Sequence, residues 1–209
     1  MKNSREVLLV ATMDTKWNEA GYIQTCLAGM EVPVRIMDAG IRGKSPVHVD
    51  VDRQAVAAAG GKTLEEVQDV GHEGKALEIM IRGARNVAEK LYRQGKIHGI
   101  IGLGGSMGTT LGTAVMRQFP IGFPKVMIST MASRDTRDFV GTKDILMLHS
   151  VCDLSGLNRI TRKVLLNGAG AMAGMLRHMP EDSISEKPLV ILSTLGTTES
   201  CVQRIREYL

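Results

Sequence analysis

Aromatic residues are scarce: three Phe, three Tyr and one Trp make up 3% of the 209 residues. Proteins that read single-stranded nucleic acid stack its bases on aromatic side chains, so this composition argues against a nucleic-acid ligand. The net charge of +4 does not reverse that, because 26 basic residues are scattered among 22 acidic ones and form no patch. Cysteine is equally sparse. Cys26, Cys152 and Cys201 are odd in number and far apart, which excludes a disulfide framework and suits reduced thiols. No apolar run approaches the roughly 18 residues of a membrane helix, and Met1 to Glu6 lead straight into a strand pattern with no signal-peptide character. A cytoplasmic chain with no membrane partner is expected.

Several chemistries lack their residues too. His48, His72, His98, His149 and His178 show no ligand spacing with the cysteines, so a structural zinc site is not expected. No nucleophile elbow or Cys-His pair is present, and the Gly-Lys-Ser/Thr ending of a Walker A loop is missing.

What is present is 44% hydrophobic sequence with 23% charged residues, enough for one sizeable core. Short apolar runs alternate with helical periods. Arg5–Ala11 predicts a strand, Trp17–Gly29 a helix, and Val32–Asp38 a second strand. Ala39–Thr63 is rich in Gly, Pro and charge without a sustained period, and is expected to be a long, partly ordered excursion. Leu77, Ile81, Ala84, Ala88 and Leu91 recur at helical spacing across Glu73–Arg93, with Gly95 as the stop. Ile97–Leu103, Lys125–Ser129 and Asp144–His149 predict further strands, and helices are expected at Thr109–Gln118 and around Ile160–Leu176. The small residues Gly168 to Ala171 in the last helix require a close neighbour, which ordinary helix-on-sheet packing supplies. The pattern predicts an α/β, Rossmann-like open and mostly parallel sheet with helices on both faces, whose ligands gather at the carboxyl ends of the strands.

A polar stretch from Pro180 to Pro188 precedes a predicted strand at Leu189–Leu192 and a final helix. Residues 1–184 are read as a nucleotide-binding α/β domain, and 185–209 as the start of a second α/β domain or a docked terminal unit.

The strongest local signal is Gly102-Leu103-Gly104-Gly105-Ser106-Met107-Gly108-Thr109-Thr110, between a predicted strand and a predicted helix. Glycines there let the backbone approach an anion, the helix start offers free N–H groups and a positive dipole end, and hydroxyls add donors. A tight strand-to-helix turn with no ligand has the same composition. Thr12, Asp14 and Lys16 follow the first strand and rise on the same rim: Lys16 can neutralise phosphate, Thr12 can donate, and Asp14 can hold a divalent cation or cap the helix. Asp38 ends the second strand 22 residues beyond Lys16, a spacing like that of ribose-binding carboxylates. Ser129 and Thr130, and the Asp153–Gly156 turn, follow other strands and can wall the crevice or cap helices.

Four segments in order carry a resemblance: ATMDTK at Ala11–Lys16, GLGGSMGT at Gly102–Thr109, PIGFPKVMISTMAS at Pro120–Ser133 and GTKDILMLHSVCDLSGLN at Gly141–Asn158. Together they resemble the ATP-binding domain family of the tomato mosaic virus resistance protein and its uncharacterised bacterial, archaeal and fungal relatives. The resemblance implies a two-subdomain α/β protein of roughly twice this length, homodimeric, with ATP and Mg2+ as cofactors and a ligand rim at Thr12, Asp14, Lys16, Gly104, Gly105, Ser106, Gly108 and Thr109. It supplies no reaction. The alternatives it leaves open are a protein-interaction module in which nucleotide is structural, and an enzyme acting on a small phosphorylated metabolite. Met107 stands where the family usually has glycine, which implies strain if that position needs φ > 0, and Arg134 replaces a usually small residue.

Overall fold

The computed structural model describes residues 5–179 and 190–209, which fall into two units, one up to Met179 and one running to Leu209. The first unit contains five strands, β1 (Val7–Ala11), β2 (Val34–Asp38), β3 (Gly99–Gly104), β4 (Lys125–Ser129) and β5 (Leu146–His149). All pair in parallel in the order β2-β1-β3-β4-β5. This is the open, doubly wound α/β arrangement expected from the alternation of elements. After β1 the chain lays β2 on one side, then crosses back to lay β3 on the other, so the loops after β1 and β3 diverge and leave a crevice at the carboxyl rim.

The helices are α1 (Trp17–Ala28), α2 (Arg53–Ala59), α3 (Leu64–Gln68), α4 (Glu73–Arg93), α5 (Ser106–Met116), α6 (Arg137–Val140) and α7 (Arg159–Arg177). They cover both faces. Successive residues of a strand point to opposite sides, and β1 divides accordingly. Val7, Leu9 and Ala11 join Ile23 and Leu27 of α1 and Leu165, Ala169 and Met172 of α7 in one core. Leu8 and Val10 join Val56 of α2, Met80 and Ala84 of α4 and Val115 of α5 in the other. Every residue of β1, β3 and β4 is buried, as befits central strands of a parallel sheet covered on both sides. Each such Leu or Ile contributes about 1.5–3 kcal/mol by leaving water.

Gly168 of α7 lies directly on the sheet: a Cβ there would come within 2.5 Å of Ile128 Cδ1 and 3.4 Å of Leu148 Cδ2. The small residues of α7 thus serve helix-on-sheet packing, as expected.

Two expectations need correction. The excursion at Ala39–Thr63 contains α2, and α3 follows it immediately. Both helices are too short to display a period, and each is set by its cap. Asp52 accepts from the Ala55 N–H at 2.7 Å, and Thr63 and Glu66 form a reciprocal capping box. The second correction concerns the strand expected at Leu189–Leu192. Leu189 lies outside the described residues, and Val190–Leu192 form no strand among them. An extended segment becomes a strand only through a ladder partner, which the local sequence does not specify. The second unit is instead a 3-10 turn at Gly196–Thr198 leading into α8 (Glu199–Tyr208). Among the described residues no helix is long and apolar enough to cross a membrane.

Candidate ligand cleft

A cleft of about 760 Å³ opens at the carboxyl rim, between the loops that follow β1 and β3. The turn from β1 into α1 supplies Thr12, Asp14, Thr15 and Lys16; the end of β3 and the start of α5 supply Gly104, Gly105, Ser106, Met107 and Gly108. A third wall, absent from the sequence expectation, comes from Ile41 and Arg42, from Val67 and Gln68 of α3, and from His72, Glu73 and Ala76 at the start of α4.

Three helices therefore begin at this cleft. Among the described residues no side chain caps the first turn of α1 or α5; Ser106, Met107 and Gly108 of α5 line the cleft, while α1 reaches it through its N-cap Lys16. At α4 the His72 Nδ1 accepts from the Lys75 N–H at a long 3.4 Å. Helix starts carry partial positive charge, and Lys16 and Arg42 add full charges against the carboxylates of Asp14 and Glu73.

The glycine turn is shaped by close approach. A Cβ on Gly104 would lie 2.8 Å from Gly108 Cα, so that position cannot carry a side chain without moving the backbone. Gly105 is different: with φ −80° and ψ −152° it is in ordinary extended backbone, and the nearest atom to a Cβ would be Thr130 Oγ1 at 3.7 Å. α5 begins at Ser106, three residues before the expected Thr109, because Gly105 already serves as its N-cap. Met107 consequently sits in the first turn of a helix and has no positive φ, so glycine is not required there and the strain does not arise. Arg134 is exposed in the loop after β4.

The other expected site residues, Asp38, Thr109, Ser129 and Thr130, do not line the cleft. Thr109 is buried, its Oγ1 donating to Gly105 O at 2.7 Å and paired with Ser129 Oγ at 2.6 Å; Ser129 Oγ in turn accepts from the Met131 N–H at 2.9 Å. These two hydroxyls lock the turn after β3 to the end of β4. Asp38 is likewise buried, with Oδ1 accepting from Met13 N–H at 3.0 Å and Gly40 N–H at 2.9 Å, while Oδ2 faces Arg53 Nε at 3.9 Å. It ties the turns after β1 and β2 together beneath the rim, and its carboxylate is spent on that bracing. Thr130 remains partly exposed beside Gly105.

Asp14 lies against the Gly40–Gly43 turn, where a Cβ on Gly43 would meet Asp14 Cβ at 2.8 Å. Lys16 Nζ donates to the carbonyl of Leu154 in the loop after β5, which leaves two of its three N–H groups for the cleft. Among the described residues no group of three or more His, Cys, Asp or Glu side chains is arranged to hold a metal ion. A cation here would take Asp14 or Glu73 together with ligand oxygens and water, as magnesium commonly does beside phosphates.

Residues 5–181 match the model of an uncharacterised protein family, the UPF0261 N-terminal domain. A UPF0261 protein of Clostridium tetani is 36% identical over 206 residues, covering 99% of this chain and 51% of its own length. A UPF0261 protein of Rhizobium meliloti is 36% identical over 205 residues, covering 98% of this chain and 50% of the relative. The ToMV resistance protein Tm-1(GCR237) of Solanum lycopersicum is 31% identical over 229 residues, covering 99% of this chain and 30% of the tomato protein. The chain thus spans about half the length of these bacterial relatives and less than a third of the tomato protein.

Proposed function

The chain belongs to the UPF0261 N-terminal domain family, and from the form of its cleft we propose that it binds a nucleoside polyphosphate, ATP in the first instance. The observation that carries this reading is the convergence of three helix starts, two of them uncapped, on one crevice at the topological switch point. Oriented N–H groups stabilise an anion without the desolvation that burying several lysines would impose.

The phosphates would lie over the Ser106–Gly108 N–H groups, where Gly104 and Gly105 leave the backbone uncovered, with Lys16 and Arg42 supplying charge. Arg42 suits bidentate contact with a phosphate, whereas Lys16 acts as a point charge. Magnesium would be held by Asp14 or Glu73 and the phosphate oxygens. Of the third wall, Ile41 and Ala76 expose a little apolar surface and Val67 none, so a base would rest mainly against Gln68, Gly71 and His72.

Calorimetric titration of the chain with MgATP, inorganic triphosphate and adenosine tests the proposal. Binding of ATP and triphosphate with weaker binding of adenosine is expected. Absence of heat and of thermal stabilisation with every polyphosphate, at concentrations where a ligand at 100 times its Kd would add about 2.7 kcal/mol, removes it.

A further inference from the structure

Glu19 is a fully buried carboxylate that lines no part of the cleft. It is the third residue of α1, one turn along from Lys16, where the positive end of the helix favours an anion. Its Oε1 accepts the Gly156 N–H at 2.7 Å, from the loop between β5 and α7. Its Oε2 is buried with no hydrogen-bond partner among the described residues.

A buried carboxylate oxygen without a partner is costly, and an apolar side chain of similar size would serve the core between α1 and α7 at least as well. The role of this carboxylate therefore lies in what it holds. Two residues before Gly156, the carbonyl of Leu154 accepts the Lys16 ammonium. The Leu154 side chain is fully buried in the core under α1. The loop does not keep this shape by local preference alone, because Val151 has φ 68°, a left-handed conformation that a β-branched residue resists.

We propose that Glu19 is the positioning residue of the cleft: by holding Gly156 it fixes the Leu154 carbonyl, and that carbonyl aims the Lys16 ammonium at the ligand's phosphates. The inference rests on the reading of the cleft as a polyphosphate site. Glu19 and Lys16 then act as one unit, linked through the Leu154–Gly156 segment.

The test is a double-mutant cycle read by calorimetry with inorganic triphosphate and with adenosine. Lys16→Ala is expected to weaken triphosphate binding about tenfold or more, the worth of a charge-assisted hydrogen bond. Glu19→Met should reproduce most of that loss, and the double variant should be no weaker than Lys16→Ala alone. Glu19→Gln, which keeps an oxygen acceptor for Gly156, should retain binding within about threefold of wild type, because the acceptor and not the charge sets the loop. Adenosine binding should be unchanged throughout. If Glu19→Met does not fold, Glu19→Asp, which withdraws the carboxylate by one methylene, replaces it with the same expectation. Additive losses in the double variant, or undiminished triphosphate binding by a folded Glu19→Met or Glu19→Asp, overturn the positioning role while leaving the site itself standing. Failure of the wild type to bind triphosphate overturns both.

Discussion

Gly105→Glu separates the site from the fold. Gly105 caps α5 with φ −80° and ψ −152°, a conformation open to any residue, and a Cβ there meets nothing closer than Thr130 Oγ1 at 3.7 Å. The substitution should therefore change stability by no more than about 0.5 kcal/mol, as at an ordinary surface position. The dipole of α5 offsets part of any cost by favouring the new negative charge. Binding should respond very differently. A carboxylate about 5 Å from a phosphate charge, at an effective dielectric constant of about 20, opposes it by about 3 kcal/mol. That corresponds to about a hundredfold loss of affinity. The carboxylate can also reach the Ser106–Gly108 N–H groups as an internal cap and so compete for the donors that a phosphate would use. The assay is calorimetry with MgATP alongside thermal melting, with Gly104→Ala as the contrasting control. In that control the added Cβ would lie 2.8 Å from Gly108 Cα, so stability should fall by about 1–3 kcal/mol. A folded Gly105→Glu chain that binds ATP as well as wild type refutes the assignment of phosphates to the start of α5. A Gly105→Glu chain that loses its cooperative melt refutes the geometric argument.

Three further outcomes are expected. Lys16→Ala should weaken ATP about tenfold and leave adenosine unaffected, because an ammonium sees mainly the phosphates; equal losses for both ligands in calorimetry would exclude Lys16 as a phosphate contact. Gly83→Ala would gain about 1 kcal/mol from helix propensity alone. Its Cβ, however, would lie 1.8 Å from the carbonyl oxygen of Val56 in α2, so a net loss of about 1–2 kcal/mol is expected in urea unfolding. Burial raises the pKa of Asp144, but the hydrogen bond from Lys125, the Gly122 N–H and the charge of Lys125 outweigh it and hold the carboxyl below its usual range. A depressed folded pKa contributes stability above the unfolded value that is lost as pH falls through the folded one, so below about pH 4 Asp144→Asn should flatten the acid limb of Tm against pH. An unchanged acid limb would show that the pair carries no pH dependence.

The division between what was legible in the chain and what was not follows from the range of the interactions. Strands and long helices were legible because each one's hydrophobic pattern is local: β4 matches its expected bounds, and α4 follows the recurrence of Leu77, Ala84 and Ala88. A parallel sheet could be inferred from the alternation of those elements. The glycine turn and Lys16 were legible as candidates because a strand followed by glycines and a helix is a local pattern, and the structure sets both on one cleft. The wall at Arg42, Gln68 and His72 was not, since it forms only when the segment carrying the two short helices packs beside the start of α4; Asp52 as N-cap and the Thr63–Glu66 capping box were the local signs of those helices. Asp38, Thr109 and Ser129 show the reverse case. Residue type and rim position marked them as ligand contacts, but whether a carboxylate or hydroxyl faces a ligand or the protein depends on which N–H groups the tertiary fold brings to it. Here the Met13 and Gly40 N–H groups take an Asp38 oxygen and the Met131 N–H that of Ser129, while the Thr109 hydroxyl donates to Gly105 O and pairs with Ser129. The sequence by itself determined the period of the strands and the long helices, and hence the sheet and its two covered faces. The strand order, the meeting of three helix starts and the reach of Glu19 to Gly156 were decided by tertiary packing, because they join segments up to 137 residues apart that share no local pattern.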